Sequence, residues 1–421
     1  MMRFRYIVWS CVLSILVSCV EPVQQGDLPA TSQAKSPKRG VAFSFDCLED
    51  LPLLSPAVSW SYNWGNAQSE EAALWFDTND VDFCPMCWNQ RFDAEKIRAY
   101  VALHPDTKYL LGYNEPNLTD QCNLTPLEAA QYWQEVVALA KELNLKLVSP
   151  AMNYGTLEGY GDPIKWLDEF LACEGVSLSD IDAIAVHCYM ASPSAMKDYI
   201  ERFAKYGKPI WVTEFCAWEK TVGSVEAQMD YMCAALNYME QSPLVERYAW
   251  FIPRAKGAVD AYPYMQLLDH EMPTALTPLG RIYTAFSSFD KHAFLPLSRT
   301  VKAYQYTALS TDRISLRVDD TESRNVGTSQ VYVYNFQAGM WMDYQVQVSE
   351  AKPLQIAYAS IISSQVCIYV DGEAVALADM PKTKGLNQVE TFTTEVVLPE
   401  GYHTLRIEIR KGSCNMYSFY V

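Results

Sequence analysis

Two acidic residues stand at the carboxyl ends of apolar, strand-like runs. Glu115 follows Tyr109-Leu110-Leu111-Gly112-Tyr113-Asn114 and precedes Pro116-Asn117, and Glu214 follows Pro209-Ile210-Trp211-Val212-Thr213 and precedes Phe215. A carboxylate at the tip of a buried strand costs solvation free energy, so chance rarely leaves one there. A pair of them can cleave an acetal. One carboxylic acid protonates the departing oxygen while the other attacks the sugar carbon from the opposite face, and retention of configuration requires the two groups to sit about 5–5.5 Å apart. The acid then needs an apolar or like-charged setting to keep its proton near neutral pH. The nucleophile needs to stay ionised, which hydroxyl donors favour.

The elements that would hold such a pair are repeated βα units, because apolar, β-branched runs alternate with helix-periodic segments. The runs Val41–Phe45, Val58–Asn63, Asp82–Trp88, Lys108–Tyr113, Lys146–Pro150, Ala183–Tyr189, Pro209–Glu214 and Arg247–Ile252 read as strands. Helices are expected near 93–103, 163–173, 194–206, 223–240 and 277–289. The clearest starts at Thr125-Pro126-Leu127-Glu128, a capping box with proline at the first helical position. Tyr132, Val136, Leu139 and Leu143 then recur at helical spacing. Eight such strands with intervening helices over about 250 residues predict a (β/α)₈ TIM barrel across 40–296.

In a barrel of this kind the active site gathers at the carboxyl ends of the strands. Those ends carry Trp64, Trp88, Asn114-Glu115, Asn153-Tyr154, His187-x-Tyr189, Glu214, Trp218 and Trp250. Indole and phenol rings suit sugars, because the C–H face of a pyranose stacks on a ring while its hydroxyls bond elsewhere. Any one of these residues has an ordinary packing explanation; their coincidence at one end of one barrel points to a carbohydrate cleft.

The rest of the chain narrows the setting. It has 421 residues, a net charge of −17, 50% hydrophobic residues and 13% aromatics, so two domains are expected, and nucleic acid and anionic polymers are poor partners. A neutral glycan is compatible with that charge. Met1-Met2-Arg3-Phe4-Arg5 and the apolar run Tyr6–Val17 make a secretory signal over 1–18, too short to span a bilayer. Leu16-Val17-Ser18-Cys19 resembles the bacterial lipobox, which implies lipidation of Cys19. Residues 19–39, rich in Pro, Gln, Ser and Lys, fit a flexible tether. The resulting expectation is a lipoprotein of the bacterial cell envelope, anchored in the outer membrane, facing periplasm or cell surface, touching membrane only through its lipid, and monomeric.

Among the 12 cysteines, Cys188, Cys216, Cys233 and Cys367 lie in apolar runs, where thiols behave as small hydrophobes. Cys84-Pro85-Met86-Cys87 has metal-like spacing, but no second Cys pair or matching His pair accompanies it, so no metal is expected. A disulfide among Cys47, Cys84, Cys122 and Cys173 stays open.

After Pro296 the texture changes to short alternating strands: Gln330–Asn335, Trp341–Val348, Leu354–Ala359, Gln365–Val370, Thr391–Leu398 and His403–Arg410, with turn signals at Asp371-Gly372 and Glu400-Gly401. Residues 297–421 therefore read as an all-β jelly-roll sandwich.

The segments Leu111–Asn117, His187-Cys188-Tyr189 and Lys208–Phe215 resemble glycoside hydrolase family 128, the β-1,3-glucanases of clan A, over roughly residues 40–290. The resemblance implies that Glu115 is the general acid/base and Glu214 the nucleophile. It also implies that Asn114 bonds the sugar 2-hydroxyl, that Tyr189 orients Glu214, and that His187 supports the same wall. The implied activity is retaining endo-hydrolysis of a β-1,3-glucan polysaccharide or oligosaccharide without a cofactor. Two alternatives stay open: another β-glycan such as β-mannan or mixed-linkage glucan, and a non-catalytic surface glycan-binding lipoprotein. The second does not require both glutamates. Gly339–Tyr344, Val370-Asp371-Gly372, Asn325-Val326-Gly327 and Gly401–Leu405 are loosely similar to family 6 carbohydrate-binding modules, with Trp341 read as core and Asn415 as a candidate ligand contact.

Overall fold

A computed structural model describes residues 28–218, 222–255, 264–270, 272, 274–319 and 330–421. The signal segment, Cys19 and Asn325-Val326-Gly327 lie outside the described residues. Eight parallel strands form the barrel: β1 (Arg39–Ala42), β2 (Trp60–Tyr62), β3 (Asp82–Phe83), β4 (Tyr109–Leu111), β5 (Lys146–Val148), β6 (Ile184–Cys188), β7 (Ile210–Phe215) and β8 (Val245–Trp250). Six of them pair in the order β3-β2-β1-β8-β7-β6, and β4 pairs with β5. Parallel bridges at Met86–Leu111, Val148–Ala183 and Met152–Val186 close the ring.

Helices α1 (Leu51–Leu54), α2 (Glu70–Thr78), α3 (Ala94–Leu103), α4 (Pro126–Glu142), α5 (Pro163–Leu171), α6 (Pro193–Glu201), α7 (Val225–Gln241) and α8 (Pro278–Ala285) are interleaved with the strands. The Thr125 capping box starts α4 as its sequence dictates: the Thr125 hydroxyl accepts from Glu128 N, and the Glu128 carboxylate accepts from Thr125 N. Helix α2 was not expected from sequence; Ser69 caps it by accepting from Ala72 N.

Period-two alternation divides the strand side chains between two cores. Ala42, Trp60, Tyr62, Cys84, Met86, Tyr109, Leu111, Trp211 and Ala249 fill the barrel interior. Their neighbours Val41, Phe83, Leu110, Val212, Tyr248 and Trp250 join the larger core that includes the helix layer. Low in the barrel, the Arg247 guanidinium lies 4.6 Å from the Tyr109 ring centre and 4.8 Å from that of Trp211, and it pairs with Asp82 at 2.6 Å.

The alternation also settles the Cys-Pro-Met-Cys motif. Cys84 belongs to the interior core and Cys87 to the outer one, so the two thiols do not converge on one ion. Burial pushes both thiols up, Cys84 to about 12. Cys47, Cys84, Cys122 and Cys173 are all free.

The second unit packs two antiparallel sheets. One orders β12 (Ser315–Val318), β13 (Val331–Gln337), β20 (Ser413–Tyr420), β15 (Pro353–Ala359) and β18 (Glu390–Val397), with β10 (Val301–Lys302) on β20. The other orders β11 (Ala308–Leu309), β14 (Trp341–Val348), β19 (Gly401–Lys411), β16 (Ser364–Val370) and β17 (Glu373–Met380), with β9 (Leu295–Pro296) on β14. Trp341 is not core: it is half-buried, with its ring face covered by the Arg406 guanidinium 3.7 Å from the ring centre. Asn415 is buried and its Oδ1 accepts from Asn335 N, which makes it a structural residue of β20.

The two units share one apolar core and a polar seam along α7. Asn237 on α7 is fully buried; its Nδ2 donates to the carbonyls of Asp312 (3.0 Å) and Ile314 (2.9 Å), and its Oδ1 accepts from the Tyr306 hydroxyl (2.9 Å). Asn237→Ala strands these groups without partners and is expected to cost about 2–4 kcal/mol of stability, measurable by denaturant unfolding. A cost below about 0.5 kcal/mol would mean that the seam is solvated.

Candidate active site

Glu115 and Glu214 meet at the carboxyl ends of β4 and β7, and both are buried. With His187 they place one ligand-type atom each within 4.8 Å of one another, a close approach of the two carboxylates that favours retention over the wider spacing of inverting pairs. The cleft around them has a volume of about 520 Å³ and is lined by described residues including Trp64, Trp88, Asn114, Tyr189 and Trp218.

Local backbone features aim the two acids. Glu115 adopts φ +44°, a left-handed conformation that is costly for a residue with a side chain and that clusters at functional sites. Gly112, three residues earlier, lets β4 approach β5: a Cβ there would lie 2.9 Å from Pro150 N. On β7 the parity set by Trp211 would turn Thr213 inward and Glu214 outward. The pairing with β6 shifts between Val186 and His187, so that Val186 faces Val212 whereas His187 faces Glu214. This bulge switches the face of the strand and brings Glu214 into the cleft.

Donors converge on both carboxylates. The Tyr62 hydroxyl and Trp64 Nε1 each donate to Glu214 Oε1 at 2.8 Å, and the Tyr189 hydroxyl donates to Glu214 Oε2. Asn153 Nδ2 donates to Glu115 Oε1 at 2.8 Å. His187 Nδ1 lies 2.8 Å from Glu115 Oε1 and 3.5 Å from Glu214 Oε2, between the two acids. Burial, and then the charge of Glu214, holds the Tyr62 and Tyr189 hydroxyls well above their ordinary value, so both remain donors. Glu115, His187 and Glu214 have the composition of a metal site, but N–H and O–H donors already occupy Glu115 Oε1 and both oxygens of Glu214. The arrangement suits the handling of protons.

The carboxyl of Glu115 is displaced in the opposite direction to the one a resting acid would need. Burial pushes the Glu115 carboxyl up, but His187 and Asn153 outweigh it, and the net displacement is below the ordinary 4.5. For His187 burial acts downward, while Glu214 and Glu115 win and raise it above 6.5. Both displacements act in the same sense, favouring the charged forms of Glu115 and His187 across their 2.8 Å contact. The depressed Glu115 contributes stability that is present above pH 4.5 and lost as pH falls through its lowered value. The raised His187 contributes stability that is present below pH 6.5 and lost as pH rises through its elevated value. The melting-temperature difference between the wild type and His187→Gln is therefore expected to be largest between pH 4.5 and 6.5 and to shrink on both sides. A difference independent of pH would contradict the ion pair.

Two expected site residues lie elsewhere. Trp250 is fully buried on the outward face of β8, where its Nε1 donates to Met265 O at 2.8 Å and its ring packs on Phe215 and Tyr283. Strand parity explains the placement, and the neighbouring Phe251 lines the cleft instead. Tyr154 is half-exposed, its ring against Tyr199 at 5.2 Å, and it is absent from the cleft lining. Sequence reasoning missed Tyr62, although Trp60, Tyr62 and Trp64 alternate on one face. It also named Asn153 without giving it a partner, and it passed over Leu118, Asp120 and Gln121, which lie in a loop with no periodicity to read.

The aromatic members form one wall. Tyr62, Trp64, Phe251, Tyr189 and Trp218 make successive edge-to-face contacts with ring centres 5.5–6.0 Å apart. Trp88, Leu118, Asp120, Gln121 and Asn153 line the cleft from the loops after β3, β4 and β5.

Residues 40–283 match the family model described as glycosyl hydrolase catalytic core. Residues 313–421 match carbohydrate binding module (family 35), in place of the family 6 resemblance read from sequence. The chain is similar to the solved structure of a GH128 (subgroup II) endo-beta-1,3-glucanase from Pseudomonas viridiflava, with 39% identity over 59% of this chain and 98% of that one and a TM-score of 0.54. It is also similar to a GH128 (subgroup II) endo-beta-1,3-glucanase from Sorangium cellulosum, at 34% identity over 59% and 97% of the two chains, with a TM-score of 0.52. A curated relative, alkali-sensitive linkage protein 1 of Schizosaccharomyces pombe, is 30% identical over 230 residues, or 52% of this chain; the chain spans 39% of that protein's length.

Proposed function

Because the chain belongs to the glycosyl hydrolase catalytic core family, and within it to glycoside hydrolase family 128, we propose that this glycoside hydrolase cleaves β-1,3-glucan internally with retention of configuration. The observation that carries the proposal is the pair of buried carboxylates facing each other within 4.8 Å at the ends of β4 and β7. The relatives in Pseudomonas and Sorangium are endo-beta-1,3-glucanases, which supports the linkage and the internal mode of attack.

In this reading a glucan chain lies along the wall of Trp64, Phe251, Tyr189 and Trp218. Glu214, oriented by Tyr62, Trp64 and Tyr189, attacks the anomeric carbon. The proton held by the Glu115–His187 pair moves along the 2.8 Å hydrogen bond to Glu115 and on to the glycosidic oxygen as that C–O bond breaks. A glycosyl ester on Glu214 results. Glu115, now ionised, takes a proton from water; the water oxygen attacks the ester-bearing carbon, and Glu214 leaves as a carboxylate. The ordering of roles follows the donors: Glu214 is fixed by three of them, while Glu115 is linked to the proton store.

Incubation with laminarin, curdlan, β-mannan and mixed-linkage glucan tests the substrate class. Release of short oligosaccharides from the first two is expected, with the β-anomer formed first in the proton NMR spectrum. Cleavage of mannan alone, or initial formation of the α-anomer, would overturn this reading.

The signal segment and Cys19 support export to the bacterial envelope and attachment through lipid, with the outer membrane as the proposed destination. Metabolic labelling with a tagged fatty acid should mark the wild type and not Cys19→Ser. Equal labelling of both would remove the anchor. The sandwich, with its family 35 match, is proposed to hold glucan near the barrel.

A further inference from the structure

The loop after β4 brings one residue to the site that the acid–base chemistry leaves unused. Residues 115–124 fold back on the strand tip: Leu118 N donates to Glu115 O (3.0 Å), Gln121 N to Leu118 O (3.3 Å), Cys122 N to Asn114 O (3.3 Å) and Leu124 N to Pro116 O (2.9 Å). Thr119 N reaches across to Thr156 Oγ1 at 2.9 Å and ties the loop to the β5–α5 connection. The fold-back carries the Gln121 side chain to Asn114, whose Nδ2 donates to Gln121 Oε1 at 3.1 Å.

Asn114 is 3% exposed, and its Oδ1 is sealed from solvent without a partner. A primary amide has one acceptor oxygen and two N–H donors. With the oxygen sealed, the nitrogen end is the one on the side of Gln121, and Gln121 itself lines the cleft. One Asn114 N–H is taken by Gln121 and the other is left over. Turning both amides round would keep their mutual bond but seal an NH₂ group in place of a single oxygen, leaving unpartnered donors, which costs more.

We infer that Gln121 is a positioning residue: it holds the Asn114 amide so that the free N–H points at the 2-hydroxyl oxygen of the sugar being transferred. The inference rests on Glu115 and Glu214 being the reacting pair, since the sugar they attack is the one beside Asn114. Contacts to the 2-hydroxyl strengthen in the oxocarbenium-like transition state. Gln121 therefore acts on kcat more than on KM, although it touches no reacting atom.

The test compares the wild type with Gln121→Met, which keeps length and removes the acceptor, on 4-nitrophenyl β-laminaribioside and on its analogue lacking the 2-hydroxyl of the sugar that bears the leaving group. On the parent substrate the variant is expected to lose about three- to tenfold in kcat, the worth of one oriented hydrogen bond, with KM nearly unchanged. On the 2-deoxy analogue the two proteins should agree within about twofold. Equal losses on both substrates, or no loss on either, would overturn the positioning role while leaving the glycosidase reading intact. A wild type that turns over neither substrate would overturn both.

Discussion

Glu214→Gln is expected to abolish glucan hydrolysis, with a loss of at least about 10⁴-fold in kcat, because an amide cannot form the glycosyl ester that carries the reaction forward. The substitution is close to isosteric, and its carbonyl oxygen can still accept from Tyr62 and Trp64, so the protein should fold and still bind laminari-oligosaccharides. Glu214→Ala with added azide separates the nucleophile role from a general loss of structure. A small anion in the vacated space attacks from the same face and yields the α-glycosyl azide. Recovery of the β-azide, or wild-type rates in Glu214→Gln, would assign the attack elsewhere.

Glu115→Gln has the second-largest expected effect, and it should depend on the leaving group. With glucan, whose departing alcohol needs a proton, the loss should be about 10²–10⁴-fold. With a dinitrophenyl glycoside, whose leaving group departs without one, the first step should be nearly unaffected. Hydrolysis of the ester then limits the rate, and a burst of phenol should appear, because no base activates water. Azide supplied to Glu115→Ala should give the β-azide. The contrast between substrates separates loss of the acid from damage to the cleft, which would slow both equally. His187 lies 2.8 Å from Glu115, so in the proposed mechanism the pH dependence of kcat is expected to belong to the pair and not to either residue alone.

Much of this was legible in the chain, for physical reasons that differ by element. The barrel strands announced themselves because both faces of a closed parallel sheet are buried, which leaves continuous apolar runs such as Ile184–Val186 and Ile210–Val212. Helix α4 was legible through its capping box. The two acids stood out because little besides chemistry keeps a carboxylate at such a place.

What was not legible depends on register and on packing between distant segments. The bulge that turns Glu214 inward leaves no mark in Val212-Thr213-Glu214. Trp250 and Phe251 are both aromatic, and only their placement, the first on the outward face of β8 and the second just past its end, decides that the second lines the cleft. The electrostatic setting of Glu115 was not legible either, because the group that lowers its carboxyl, His187, arrives from another strand. In the sandwich, β17 escaped notice because its exposed edge alternates weakly, and β20 because Ser413–Tyr420 is buried along most of its length and shows no period of two.

The most direct measurement of the central claim is trapping of the covalent intermediate. The full-length protein is treated with an activated 2-deoxy-2-fluoro β-1,3-linked glucosyl disaccharide, digested with pepsin and sequenced by mass spectrometry. The expected result is stoichiometric inactivation with one disaccharide esterified to Glu214. A label on any other residue, or an unlabelled enzyme that hydrolyses the parent glycoside with inversion, would contradict it.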